Sequence, residues 1–348
     1  MRKLVLVTVL GVGLAACSSG TGPSNGGNFD AARVEAGVAT VDRVGSTPAV
    51  ASFMALAGQV GAVSPLAPNL RGADRLLAAV RQAARVTTPT GVAMVPVIKP
   101  SALGHTYVYA GSSQSYVVDP NRSDAPANGV RFVLYEVNGE GTPNPSLPIG
   151  YADLTDVGAG ESDAAALSLV VVANDVTYLS YRFDLSGSVG TASVHVNGFL
   201  SDGTDRVDFD ITTTGQLFGQ GGTATVDATI GVPSHDFQVT AHLSGPAGET
   251  TGDSHLEFAV ASGEDDIGVV ADVQANQLNA TFTVNDKLLA TATGDPANPV
   301  IVGDGGRDLT VEERTALGAI VGFAGGVFGL IGDLLAPAAV LLLLGLGL

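Results

Sequence analysis

The chain has no tryptophan, three methionines and a single cysteine, Cys17, in 348 residues. One cysteine excludes an internal disulfide. Basic residues are also scarce: 16 Lys and Arg stand against 34 Asp and Glu, for a net charge of −18. Such a surface repels DNA, RNA and anionic head groups, so no nucleic-acid partner is expected. Aromatic residues make up 5% of the chain, too few to furnish the aromatic girdles of a membrane-spanning barrel. Catalytic motifs are missing too. No GxGxxG leads from a strand into a helix, and there is no phosphate loop, Gly-x-Ser-x-Gly or HExxH. The expectation is a protein that is not an enzyme and carries no cofactor.

What is present begins with an address. Arg2 and Lys3 precede an uncharged run, Leu4 to Ala16, of secretory-signal length and too short to span a bilayer. It ends Leu14-Ala15-Ala16-Cys17. Residues 1–20 resemble the leader of a bacterial lipoprotein. That resemblance implies a signal peptide over 1–16, cleavage before Cys17, a lipid on Cys17 and a membrane partner through it. Ser18 stands where an Asp, in proteobacterial lipoproteins, goes with inner-membrane retention. The implied location is the cell envelope, with the outer membrane favoured. Loss of Arg2 and Lys3 with the leader would leave the mature chain two charges more negative. Residues 17–28 are rich in Gly, Ser and Asn and read as a flexible tether.

Residues 29–100 read as a helical segment with a Pro-rich linker. Asp30 to Val44 repeats Val34, Val38, Val41 and Val44 at helical spacing behind a capping Asp30. A second helix runs from Pro48 to about Val60, with Phe53, Leu56 and Val60 on its apolar stripe. A third covers about 72–86. Its basic face, Arg71, Arg75, Arg81 and Arg85, reads as a solvated surface. Thr87 to Ser101 holds Pro89, Pro96 and Pro100 and is the linker.

Residues 101–307 read as an antiparallel β domain. Leu179, Tyr181, Phe183 and Leu185 alternate with Ser180, Arg182, Asp184 and Ser186. Val207, Phe209 and Ile211 alternate with Asp208 and Asp210. The pattern continues through 224–230, 237–243, 256–260 and 278–284. Strict period-two alternation marks a sheet with one wet and one buried face. Tyr107, Tyr109, Tyr116, Tyr135 and Tyr151 gather in the first strands and read as cross-strand packing rather than a ligand pocket. Thr142 to Pro148, with three prolines, is expected as a loop. Asp202-Gly203, Glu264 to Asp266 and Asp304 to Gly306 are expected as turns. His242, His255 and Glu257 should share a wet face, but spacing places no third ligand for a metal.

Residues 308–348 read as an apolar, Gly-rich C-terminal helix and tail. Thr310 and Glu313 form a capping box. Beyond Arg314 no charge occurs until Asp333. Gly318, Gly322, Gly326 and Gly329 lie on a small-residue face suited to close packing. A helix apolar all round is buried in protein or in a membrane. Residues 316–348 therefore either insert in a bilayer or pack on the sheet, whose apolar face has no other evident cover.

The expected fold is mainly β: an antiparallel meander curved into a half-barrel or open barrel, with N-terminal helices and the C-terminal helix packed on the sheet. In outline it resembles exported lipoproteins whose curved sheet surrounds helices, among them lipid and lipoprotein carriers. The expected function is an exported lipid-anchored protein with a structural or interaction role. The alternatives are a carrier of a lipid or other apolar ligand on the concave face, and a transmembrane β-barrel.

Overall fold

The computed structural model describes residues 31–61, 98–139, 141–158, 165–188, 191–216, 222–246, 253–275, 277–296, 298–311, 313–314 and 317. The leader, Cys17, the tether, the third helix expected at 72–86 and Gly318, Gly322, Gly326 and Gly329 lie outside these residues.

Two helices come first, α1 (Ala31–Gly45) and α2 (Pro48–Gly61). The strands follow in order: β1 (Thr106–Ala110), β2 (Ser115–Val118), β3 (Gly129–Val137), β4 (Pro143–Asp156) and β5 (Ala165–Ala173). Then come β6 (Val176–Ser188), β7 (Thr191–Ser201), β8 (Arg206–Gln216), β9 (Thr223–Val232) and β10 (Phe237–Pro246). The last are β11 (Ser254–Ser262), β12 (Asp265–Gln274), β13 (Gln277–Val284), β14 (Lys287–Gly294) and β15 (Val300–Gly303). All fifteen form one sheet, in which β3 to β15 are neighbours in chain order. Every pairing is antiparallel except β1 with β3. The sheet is not closed: β2 lies at one edge and β15 at the other. Both edge strands are four residues long, which limits pairing with other chains.

The turn chemistry explains the meander. Asn174-Asp175 joins β5 to β6 and Asn285-Asp286 joins β13 to β14, and all four residues have positive φ. Asn and Asp tolerate that region, and a two-residue turn with positive φ at both positions matches the twist of a hairpin.

The alternating faces fall where the pattern places them. Leu179, Phe183, Val207, Phe209, Ile211, Ile230, Val239, Phe258, Val260 and Phe282 are buried in one cluster. Arg182, Asp210, Asp227 and Glu257 point the other way and are exposed. Register carries the apolar rows sideways across strands. One runs Phe183, Val196, Ile211, Ala228, Ala241, Phe258, Val269, Phe282, Ala290.

Three sequence expectations need correction. Thr142 to Pro148 is not a free loop, since β4 begins at Pro143. Pairing of β4 with β5 starts only at Gly150. Before that point β4 has β3 alone as a neighbour, so a proline without an N–H can face the unpaired side. Asp265 and Asp266 are not turn residues but open β12. The apolar face has a cover among the described residues that the sequence reading did not count. Helix α2 packs on β2 to β6, and α1 on β7, β8, β9 and β11. Val41, Val44, Val50, Phe53 and Leu56 belong to the same core as the strands.

Helix α1 crosses one end of the strands and touches successive turns. Arg43 pairs with Asp202 and Asp205 between β7 and β8. Thr40 Oγ1 lies 3.1 Å from His235 Nε2, between β9 and β10. Arg33 reaches Gly263, between β11 and β12. The ten residues from 43 to 33 rise ~15 Å along the helix. Four strand spacings cover ~19 Å, so each side chain finds its turn with a short reach.

Candidate functional site

The calls that carry the expected function, Cys17 for lipidation and Gly318, Gly322, Gly326 and Gly329 for helix–sheet packing, lie outside the described residues. The doorway to the glycine segment does not. Thr310 N–H donates to Glu313 Oε2 at 2.9 Å and Glu313 N–H to Thr310 Oγ1 at 3.2 Å. This is the reciprocal capping box expected from the sequence. Arg307 grips the same carboxylate through Nη1 at 2.7 Å and Nη2 at 2.5 Å. The Arg307 guanidinium, followed by the Thr310 N–H, holds the Glu313 carboxyl down at about 2. Arg314 donates back to the Leu309 carbonyl at 2.9 Å. Leu309 and Leu317 are both buried and belong to the sheet's core. The helix start is thus clamped, and its first inward residues enter the apolar face.

The tyrosines form packing, as the sequence implied. Tyr107 stacks on Phe132 with centroids 5.1 Å apart, and Tyr116 meets Phe132 edge-on at 5.7 Å. Tyr116 donates its hydroxyl to the Val133 carbonyl at 3.1 Å. Burial pushes the Tyr116 hydroxyl well above its ordinary value. Behind them, Arg131 donates Nε and Nη2 to Asp153 at 2.7 Å each and lies 3.7 Å over the Tyr151 ring. Its Nη1 reaches Asp124 at 3.2 Å, and Thr106 donates to Asp124 at 2.8 Å. That network ties β1, β3 and β4 together where β1 and β3 pair through two residues only. Sequence reasoning did not find it, because Asp124 lies in a loop with no periodic signal.

The histidines expected to meet do so. His242 registers with Glu257, and its ring centroid is 6.3 Å from that of His255. His242 and Glu257 edge a shallow open depression of about 460 Å³ with Asp227, Thr229, Thr240 and Gly268. Among the described residues, no three His, Cys, Asp or Glu side chains are grouped to hold a metal ion.

No family model matches this chain, and no curated protein or solved structure matches it either. The functional reading therefore rests on the chain's own residues. Among those described, no helix is long and apolar enough to cross a membrane.

Proposed function

We propose that this is an exported protein, held in the cell envelope by a lipid on Cys17, with a structural or interaction role rather than a catalytic one. The address rests on Leu14-Ala15-Ala16-Cys17. The observation that carries the role is one continuous apolar core. It joins α1, α2, the twelve strands β3 to β14, and the doorway residues Leu309 and Leu317. A sheet whose apolar face is occupied by its own chain leaves little of it for a substrate.

In the same reading the sheet curves into a half-barrel. Open sheets of more than ~10 strands curl or split, and this one has fifteen. The C-terminal helix packs on it beyond α1. The inner face there is lined by Ala271, Ala280, Ala290 and Ala292, all buried. Facing alanines admit close approach of a glycine face such as Gly318, Gly322, Gly326 and Gly329.

A second reading, a carrier of a lipid or other apolar ligand, is favoured by one observation. Val226, Leu243 and Leu256 register side by side and are only half-buried, at the strand ends away from α1. The barrel reading is weaker, because helices occupy the face that would have to meet lipid.

The test is metabolic labelling with a radioactive fatty acid in a bacterial host. The wild-type chain should take up label and sediment with membranes, and Cys17→Ala should do neither. Label retained by Cys17→Ala would overturn the anchor.

A further inference from the structure

The face of the sheet turned away from the helices carries three of the chain's five histidines, and each faces a carboxylate of its own hairpin. His195 on β7 has Nε2 3.1 Å from Asp210 Oδ1 on β8. His242 on β10 has Nδ1 2.5 Å from Asp227 Oδ1 on β9. His255 on β11 has Nδ1 2.7 Å from Asp272 Oδ1 on β12 and Nε2 3.1 Å from Glu257 Oε1. One pair therefore spans each of three consecutive hairpins. His195 also registers with Asp184 on β6, on the side away from the other pairs, while His242 registers with Glu257 on β11 and so links the second pair to the third.

The arginines on this part of the face are engaged elsewhere. Arg182 donates to Asp184 at 2.9 Å and Arg206 to Asp208 at 2.6 Å. Among the described residues, no arginine or lysine pairs with Asp210, Asp227, Glu257 or Asp272. Only an imidazole can supply the missing positive charge, and only when protonated. Three carboxylates, Asp227, Glu257 and Asp272, surround the His242 and His255 rings, whose centroids are 6.3 Å apart.

We infer that this face carries a proton-operated staple centred on His255: protonated in mild acid, it ties β11 to β12 through Asp272 with Glu257 on its other nitrogen, and neutral or alkaline surroundings release it. The inference is independent of the lipid anchor and of what fills the apolar face. Asp272 first, then Glu257, raises the His255 imidazole above its ordinary value. A raised imidazole contributes stability in full below its unfolded value of ~6.5 and loses it as pH climbs through the folded value.

The experiment is the melting temperature of the full-length protein between pH 5.5 and 8, where histidine is the side chain that ordinarily titrates. Wild type should lose roughly 2–4 °C on going up this range, since exposed pairs are individually weak. His255→Asn, on the wet face, should fold and give a flatter profile. His105→Asn/His235→Asn should keep the wild-type slope. A flat wild-type profile, or a His255→Asn variant that keeps the slope, overturns the inference.

Discussion

Gly37 on α1 lies against the Phe237 ring at the start of β10, and a Cβ at position 37 would fall inside that ring's own space. Phe237 is 2% exposed and cannot swing into solvent without opening the core. In an ordinary helix, Gly→Ala gains about 0.5–1 kcal/mol. Here overpacking costs about 1–3 kcal/mol and wins. Gly37→Ala should lower the melting temperature. Arg43→Ala, which breaks the exposed pairs to Asp202 and Asp205, should cost under about 1 kcal/mol. If Arg43→Ala proves the more damaging in thermal melts, α1 is held by charge and not by packing.

Arg131 gives a second contrast. Its side chain is 16% exposed and is bound on two sides by Asp153 and Asp124. Arg131→Met leaves Asp153 without its cation, at a cost of about 1–3 kcal/mol for an unsatisfied, partly buried group. Asp153→Asn, which keeps the shape and one of the two acceptor oxygens, should cost less. Urea unfolding of both variants decides between them, and midpoints equal to the wild type's would show that the network adds nothing.

The two faces of β8 can be compared directly. Phe209 is 4% exposed and meets Tyr181 edge-on at 6.1 Å. Phe209→Asp puts a charge into the core and should cost of order 3–5 kcal/mol. Asp208, its neighbour, faces water with Arg206, and Asp208→Phe should cost far less. Comparable melting temperatures for the two would mean that the faces are misassigned.

The capping box has its own pH window. Glu313 is depressed to about 2 by Arg307 and Thr310. A depressed carboxyl contributes stability above its unfolded value of ~4.3 and loses it as pH falls toward the folded value. The helix start at Thr310 should therefore loosen between about pH 4.3 and 2, and Glu313→Gln should remove that step from an acid titration followed by hydrogen exchange.

Much of the fold was legible because period-two alternation reports burial directly. Phe209 and Asp208 declare their faces through chemistry alone, and α1 and α2 declare themselves through Val41, Val44, Phe53 and Leu56. What escaped were relations between distant residues. Nothing local says that Tyr135 donates its N–H to Ser52 Oγ at 3.1 Å, eighty-three residues away, beside a register shift in β3. The strand at Pro143 escaped for a different reason: proline content argues for a loop unless one knows that this end of β4 lacks a second neighbour. The histidine–carboxylate pairs were half visible, since His195 to Asp210 and Asp227 to His242 share a fifteen-residue interval set by two strands and a turn.

The central claim is that the chain fills its own sheet. The most direct test compares the full-length protein with a chain cut after Leu317, both carrying Cys17→Ala, in thermal melting and in binding of a hydrophobic dye. If the glycine segment lies on Ala271, Ala280, Ala290 and Ala292, its removal uncovers an apolar face. The shortened chain should then melt lower and bind dye strongly. A shortened chain that stays soluble, melts at the full-length temperature and binds no dye would contradict the account.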